Sequence, residues 1–349
     1  MTPTSRPKRR ARIAKDAVVT LAHGSGGKAT RALVEEVFVA EFDNVLLAPL
    51  GDSALLEVDG VRLAFTTDSY VVKPIFFPGG DIGDLAVNGT SNDLAVAGAR
   101  PLALSAGFVI EEGFAVADLR RVAASMARAA SVAGVPIATG DTKVVERGAA
   151  DGLYVTTAGV GVVAPGVELG PQRVRTGDRV LVSGTIGDHG MAVVVARGDL
   201  QLEVDLKSDT ASVHELTHAL LELGEAVRWM RDPTRGGLAT ALNELAQSAG
   251  VSVVLDETSL PLRPGVVGTC EILGIDPLYV ACEGRVVAVV AAEACDAALA
   301  ALRSFPLGTG AAVIGEIRAD PAGFVLLDTT FGGSRIVDML VGDPLPRIC

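Results

Sequence analysis

Apolar runs of strand length and amphipathic runs of helix length are mixed through this 349-residue chain without strict alternation. One cluster of chain breakers, Ala164-Pro165-Gly166 through Gly170-Pro171, divides them into two series. In the first, 30–40 reads as a helix and 45–50, 54–58 and 61–67 as a strand meander. A helix over 81–97 follows, then a strand over 102–110, a helix over 115–133, a strand edge over 136–139 and a strand over 153–163. The second series reads as strands over 179–183, 251–255, 285–290, 312–317 and 323–327, with helices over 191–196, 211–223, 238–249 and 293–305. Such mixing predicts an α+β fold, with helices layered on one face of a mixed sheet in each half. The expected boundaries are a disordered basic extension over 1–21, an N-terminal domain over 22–165, a C-terminal α+β domain over 166–341 and a flexible tail over 342–349.

The charge balance excludes some functions. Net charge is −12, and the stretch from Arg6 to Lys15 is basic, so the remaining body is more acidic than the total shows. A body that acidic repels phosphate backbones, which argues against nucleic-acid binding. Arg9-Arg10 is followed by no apolar export segment, and no apolar stretch is long enough to span a membrane. Four cysteines without CxxC spacing (Cys270, Cys282, Cys295, Cys349) read as reduced thiols of a cytoplasmic protein.

Carboxylates stand at strand ends or on the polar stripe of a helix: Asp52, Asp68, Asp93 and Asp141. Taken singly, each is an ordinary turn-former or helix cap. Four in one domain suit a hard cation such as Mg²⁺, which takes oxygen ligands and phosphate. His23-Gly24-Ser25-Gly26-Gly27-Lys28 is glycine-rich but is not a Walker A loop, because alanines stand at 22 and 29. It reads equally as a phosphate cradle, a gate or a turn. Asp232-Pro233-Thr234-Arg235-Gly236-Gly237 is a stronger anion site: Thr234 can cap the next helix, the glycines admit close approach, and Arg235 offers a fork of donors. His214-Glu215-Leu216-Thr217-His218 matches HExxH, yet the other histidines, His23 and His189, lie in separate elements, and a solvated helix face explains the pattern.

The chain ends Asp343-Pro344-Leu345-Pro346-Arg347-Ile348-Cys349. Two prolines in three positions exclude a helix, so the last eight residues form an arm that extends about 26 Å with a thiol at its tip.

With these motifs goes a resemblance. The His23–Lys28 loop, Gly51-Asp52-Ser53, Thr67-Asp68-Ser69, Asn88 to Leu94, Gly140-Asp141-Thr142-Lys143, Gly184 to Gly190, Asp232 to Gly237 and the terminal Pro346-Arg347-Ile348-Cys349 resemble the HypE family of hydrogenase maturation factors. That family lies within the aminoimidazole ribonucleotide synthetase and selenophosphate synthetase superfamily. The resemblance implies two α/β-sandwich-type domains with an extended C-terminal tail, the N-terminal one binding ATP and pairing its sheet in a homodimer. It implies ATP-dependent dehydration of an S-carbamoyl group on Cys349 to a thiocyanate, supplying cyanide for the [NiFe]-hydrogenase iron centre. The implied partners are the carbamoyltransferase HypF and the iron-holding HypC and HypD. Mg²⁺ would be held by Asp52, Asp68, Asp93 and Asp232, and ATP by Gly24, Gly26, Gly27, Lys28, Asn92, Asp141, Thr234, Arg235 and Gly236. Lys143 and Glu283 would act beside the thiol, and Arg347 would offset the terminal carboxylate. The alternatives from the residues alone are a small-molecule kinase or synthetase of that superfamily with a structural tail, or a non-catalytic scaffold.

Overall fold

The computed structural model describes residues 18–198, 202, 204–342 and 345–349. Most of the expected basic extension, residues 1–17, and Asp343 and Pro344 of the tail lie outside the described residues.

A helical segment comes first, from α1 (Lys28–Leu33) through a π-helical turn (Val34–Val39) to α2 (Ala40–Phe42). Residues 45–50, expected as a strand, form turns instead: the Asn44 carboxamide oxygen accepts from Leu46 N and Leu47 N, at 3.1 and 3.0 Å. That local bond competes with strand pairing. Next come β1 (Ala54–Val58), β2 (Val61–Tyr70), a short hairpin of β3 (Phe76–Phe77) and β4 (Gly80–Asp81), α3 (Ile82–Val96), β5 (Ala99–Glu111), α4 (Val116–Val132), β6 (Ile137–Val145) and β7 (Leu153–Val163). They build a five-stranded sheet in the order β1-β2-β7-β5-β6, antiparallel except where β5 meets β6.

Period-two alternation sets the two faces of this sheet. On β2, Ala64, Thr66 and Tyr70 are buried under α3, whereas Phe65, Thr67 and Ser69 are exposed on the opposite face. Asp81 caps α3, accepting from Gly83 N at 2.7 Å and Asp84 N at 3.2 Å. The helix packs so closely that a Cβ at Gly89 would lie 2.2 Å from the Tyr70 hydroxyl.

The second sheet contains β8 (Arg179–Val182), β9 (Val227–Arg231), β10 (Ser252–Asp256), β11 (Val287–Val290), β12 (Ala312–Arg318), β13 (Val325–Asp328) and β14 (Ser334–Val337), in the order β14-β13-β10-β12-β8-β11-β9. Around it lie α5 (Asp188–Ala196), α6 (His214–Leu221), α7 (Gly237–Ala249), α8 (Pro264–Leu273) and α9 (Cys295–Arg303). Here the one-face expectation is corrected. Val287 and Val289 of β11 join the core under α7, while Ala288 and Val290 join the core of α6 and α9. A strand buried on both faces reads as a continuous apolar run, which hides its alternation.

Besides the short β3–β4 hairpin, β9, α8 and β14 escaped the sequence pattern. β9 is broken by Arg228, which is buried and pairs with Asp178 at 3.7 Å; α8 begins at a proline and contains two glycines; β14 is a mostly exposed edge. No helix among the described residues is long and apolar enough to cross a membrane.

Candidate active site

The acidic site forms where the two sheets meet. Asp52 precedes β1, Asp93 sits in the last turns of α3, and Asp232 follows β9; carboxylate oxygens from all three lie within 4.8 Å of one another. Burial pushes all three carboxyls above their usual range. After burial, neighbouring negative charge drives Asp93 and Asp232 up, Asp68 acting most on Asp93 and Asp52 most on Asp232. Arg231 offsets part of this: it pairs with Asp52 at 2.8 Å and Glu244 at 2.8 Å. The Thr66 hydroxyl lies 2.7 Å from Asp93 Oδ2 and 2.7 Å from the Asp52 carbonyl, fixing both around β2. Clustered carboxylates with one cation among them remain short of positive charge, and a divalent cation with oxygen ligands matches that deficit. Asp68, the fourth expected ligand, stands beside the trio; it accepts from the Tyr70 hydroxyl at 3.3 Å and the Thr90 hydroxyl at 3.4 Å.

Glu283 lies behind this cluster at 2% exposure. Burial first, then Asp232, Asp209 and Asp68, push its carboxyl well above the usual range, while Arg235 pulls it back. Its Oε1 has no hydrogen-bond partner among the described residues. Its backbone is held firmly: Glu283 N donates to Asp209 at 3.0 Å, and Asn92 Nδ2 donates to the Glu283 carbonyl at 3.2 Å. Asn92 also donates to Ala211 O at 3.0 Å and accepts from Val213 N at 2.9 Å. With both amide hydrogens committed to backbone, the expected nucleotide contact Asn92 is here a clamp that ties α3 to the second sheet.

The anion-site motif opens α7, but its cap differs from expectation. Gly236, in the left-handed region at φ +76°, is the N-cap, and no side chain satisfies the first N–H groups. Thr234 instead gives its carbonyl to Gly237 N at 2.8 Å. A side chain at 236 would meet the Thr240 hydroxyl at 2.2 Å, so glycine is required there. An uncapped helix N-terminus is suited to phosphate. The glycine-rich loop packs over it: Arg235 donates to the Gly24 carbonyl at 3.3 Å, and a Cβ on Gly26 would meet the Arg235 carbonyl at 2.8 Å. Gly27 is pressed against the Leu340 carbonyl, and Lys28 donates to that carbonyl through its backbone and to Asp338 through its side chain at 2.5 Å. Lys28 is thus engaged with the segment leading to the tail.

That tail turns inward. Val71 N donates to the Cys349 carbonyl and Lys73 N to the Arg347 carbonyl, both at 3.2 Å, so the last residues pair with the chain just beyond β2. Gly24, Ser25, Arg235, Gly236, Ile348 and Cys349 line one cavity. Arg347 does not serve the terminal carboxylate as expected; its guanidinium bonds Asp151 and donates to the Val71 carbonyl. Arg235 is the cation tied to the terminus, and Cys349 is the largest influence raising its pKa, ahead of Asp68 and Glu283. Cys282, by contrast, is fully buried; its sulfur accepts from Gly187 N at 3.2 Å, and burial pushes its thiol well up, which keeps it unreactive.

Two expected residues, Asp141 for ATP and Lys143 for the thiol, are not brought to this site within one chain. Asp141 and Lys143 lie on β6, exposed and paired with each other at 3.0 Å. Thr142 is level with Tyr70 through Phe108 and Val155, three strand spacings or about 14 Å away. Both side chains share the face of Gly107 and Val109, opposite α3. His214 bonds the Ser212 hydroxyl at 2.9 Å and the exposed His218 pairs with Glu222 at 3.7 Å, so the HExxH residues are occupied on a helix surface.

Fold and site together define the class. The AIR synthase related protein families match both halves, the N-terminal domain over residues 50–163 and the C-terminal domain over 175–328. Among relatives, Carbamoyl dehydratase HypE of Rhodobacter capsulatus is 59% identical over 338 residues, covering 96% of this chain and 99% of that one. A crystal structure of the hydrogenase maturation protein HypE in complex with ATP superposes with a TM-score of 0.80 at 46% identity, covering 95% of this chain and 100% of that one. A HypE solved in complex with HypF gives 0.84 at 48% identity, covering 88% and 100%. The chain belongs to the HypE family of carbamoyl dehydratases.

Proposed function

We propose that this chain uses ATP to dehydrate an S-carbamoyl group on Cys349 to a thiocyanate, the source of cyanide for a [NiFe]-hydrogenase iron centre. The observation that carries this reading is the inward tail: Cys349 lines a cavity with the glycine-rich loop and the open N-terminus of α7, and Arg235 there feels the charge of both Cys349 and Glu283. The chemistry needs that arrangement. An amide oxygen is a poor leaving group until it is phosphorylated, and the nitrogen must then lose two protons as phosphate departs and C≡N remains on sulfur. Mg²⁺ and ATP, when bound, supply charge neutralisation and the phosphoryl group. Asp52, Asp93 and Asp232 would hold the metal, with Asp68 alongside. Gly24, Gly26, Gly27, Arg235, Gly236 and Thr234 would shape the phosphate site, and the buried Glu283 would take protons from the nitrogen.

Carbamoylation belongs to a partner, and HypF fits that role because a related HypE has been solved with it. HypC and HypD would receive the cyanide. A homodimer is the reading that the open face of the first sheet supports, where Phe65 is 46% exposed and Leu102 39% exposed. A second copy covering that face makes the sheets a buried layer. Lys143, which points to that same face, would then act on the partner protomer's tail. Phe65→Asp places a charge at this seam and is expected to yield monomers in sedimentation; an unchanged dimer would place the interface elsewhere.

The reaction itself is tested by incubating the protein with its carbamoyltransferase, carbamoyl phosphate, Mg²⁺ and ATP, then weighing the C-terminal peptide. The expected course is a gain of one carbamoyl group followed by loss of one water. An unmodified Cys349, or ATP turnover on a free metabolite that survives deletion of the last four residues, would replace this reading with a small-molecule kinase.

A further inference from the structure

His189 is a buried histidine that the reaction above does not use. It lies on α5 at 0% exposure, with its ring edge-on to Phe77 of the β3–β4 hairpin, centroids 5.5 Å apart. Its Nδ1 is 2.8 Å from the Ser208 hydroxyl, and its Nε2 is 3.0 Å from the Ile348 carbonyl. Burial holds its pKa down at about 4, so the ring is neutral and carries one N–H. A carbonyl can only accept, so that hydrogen is on Nε2 and the Ser208 hydroxyl donates to Nδ1. Ser208 is itself fixed, with its N–H donating to Pro78 O at 2.8 Å and its hydroxyl oxygen accepting from Thr210 N at 3.0 Å.

Arg347 sits in the left-handed region at φ +58°, so the last three residues are not a regular strand, and their carbonyls are placed by their partners. The Arg347 and Cys349 carbonyls pair with Lys73 and Val71, and the Ile348 carbonyl points away from them, to His189. Arg197 adds a second anchor from the end of α5, donating to the Arg347 carbonyl at 2.8 Å and the Lys73 carbonyl at 2.9 Å. Backbone pairing alone tolerates a slip in register, whereas a single buried donor at Ile348 fixes the depth to which Cys349 enters.

We propose that His189, with its tautomer set by Ser208, is the positioning residue that seats the tail and thereby balances two steps: it holds Cys349 inward for dehydration and opposes its departure to a carbamoyl donor. Leaving the seat gives up this hydrogen bond, so the resting chain favours the inward form. The proposal rests on Cys349 being the carried thiol, and one arm of its test does not depend on that reading.

Iodoacetamide labelling of Cys349, read by mass spectrometry of the C-terminal peptide, reports tail departure without any enzyme chemistry. His189→Ala is expected to label about fivefold faster, the effect of one lost hydrogen bond, and His189→Gln, which retains a donor, to recover most of the wild-type rate. In single turnover, His189→Ala should dehydrate carbamoylated Cys349 about fivefold more slowly while accepting the carbamoyl group no more slowly than wild type. A general folding defect would slow both steps together and overturn the proposal, as would wild-type labelling of His189→Ala or equal labelling of the Ala and Gln variants. If His189→Ala does not fold, Ser208→Ala stands in its place, and labelling no faster than wild type overturns the proposal. Absence of carbamoylation would remove the proposed function and leave the labelling arm to decide the seat.

Discussion

Glu283→Gln is expected to accumulate the S-carbamoyl form of Cys349 and to slow its dehydration by about 10²–10⁴-fold, the range associated with a lost general base. The substitution keeps shape and hydrogen-bonding backbone: Glu283 N still meets Asp209 and the Glu283 carbonyl still meets Asn92. What disappears is a carboxylate raised well above its ordinary pKa by burial and by Asp232, Asp209 and Asp68. A base with a raised pKa is stronger once deprotonated, but it is protonated over a wider range. Wild-type dehydration should therefore climb as pH rises through the Glu283 value and level off above it, and the Gln variant should lack that limb. Quenched-flow sampling of the C-terminal peptide separates the carbamoyl and cyano forms. Dehydration by Glu283→Gln at the wild-type rate would take the residue out of the chemistry.

The residues that form this site were legible in the sequence to differing degrees, and the differences have physical causes. Asp52 and Asp93 were visible as carboxylates at a strand edge and on the polar stripe of a helix, whereas Asp232 entered the metal set only through the family resemblance; the three do converge. Their support was not visible. Arg231 stands directly before the anion-site motif, yet its pairing with Asp52 spans well over a hundred residues of chain, and its pairing with Glu244 joins the end of β9 to α7, both beyond any local pattern. His189 read as part of a glycine-rich turn, because nothing local to it announces a bond to Ile348. Lys143 shows a different limit. A motif fixes which residue matters but not where a strand lies in its sheet, and β6 sits at the far edge. The strands of the first sheet were readable because one face is open and their alternation is clean. Those of the second, covered on both faces, lose that signal, and β9 was missed altogether.

Asp232→Asn separates stability from function at the carboxylate cluster. Asp232 is 4% exposed and its carboxyl is raised well above the usual range by burial and by Asp52. Such a group binds its proton more tightly in the folded chain than in the unfolded one. Its contribution to stability is full below the unfolded carboxylate value and is lost as pH rises through the folded value, so at neutral pH the metal-free protein bears the strain of crowded charge. Asparagine removes one charge at nearly constant volume. The metal-free variant is expected to melt about 1–2 °C above wild type at neutral pH, as a gain of about 1 kcal/mol does in a chain of this length, and to show a flatter fall in stability between acid and neutral pH. Adding Mg²⁺ with ATP should reverse the order, because a ligand that binds only the folded state stabilises the chain that holds it better. Turnover should fall by about 10³-fold or more, since a catalytic metal contributes several kcal/mol of charge stabilisation. Scanning calorimetry with and without Mg²⁺·ATP reads both effects. A variant that melts below wild type without metal, yet keeps the full Mg²⁺-dependent shift, would mean that Asp232 shapes the fold and that the cation is held without it.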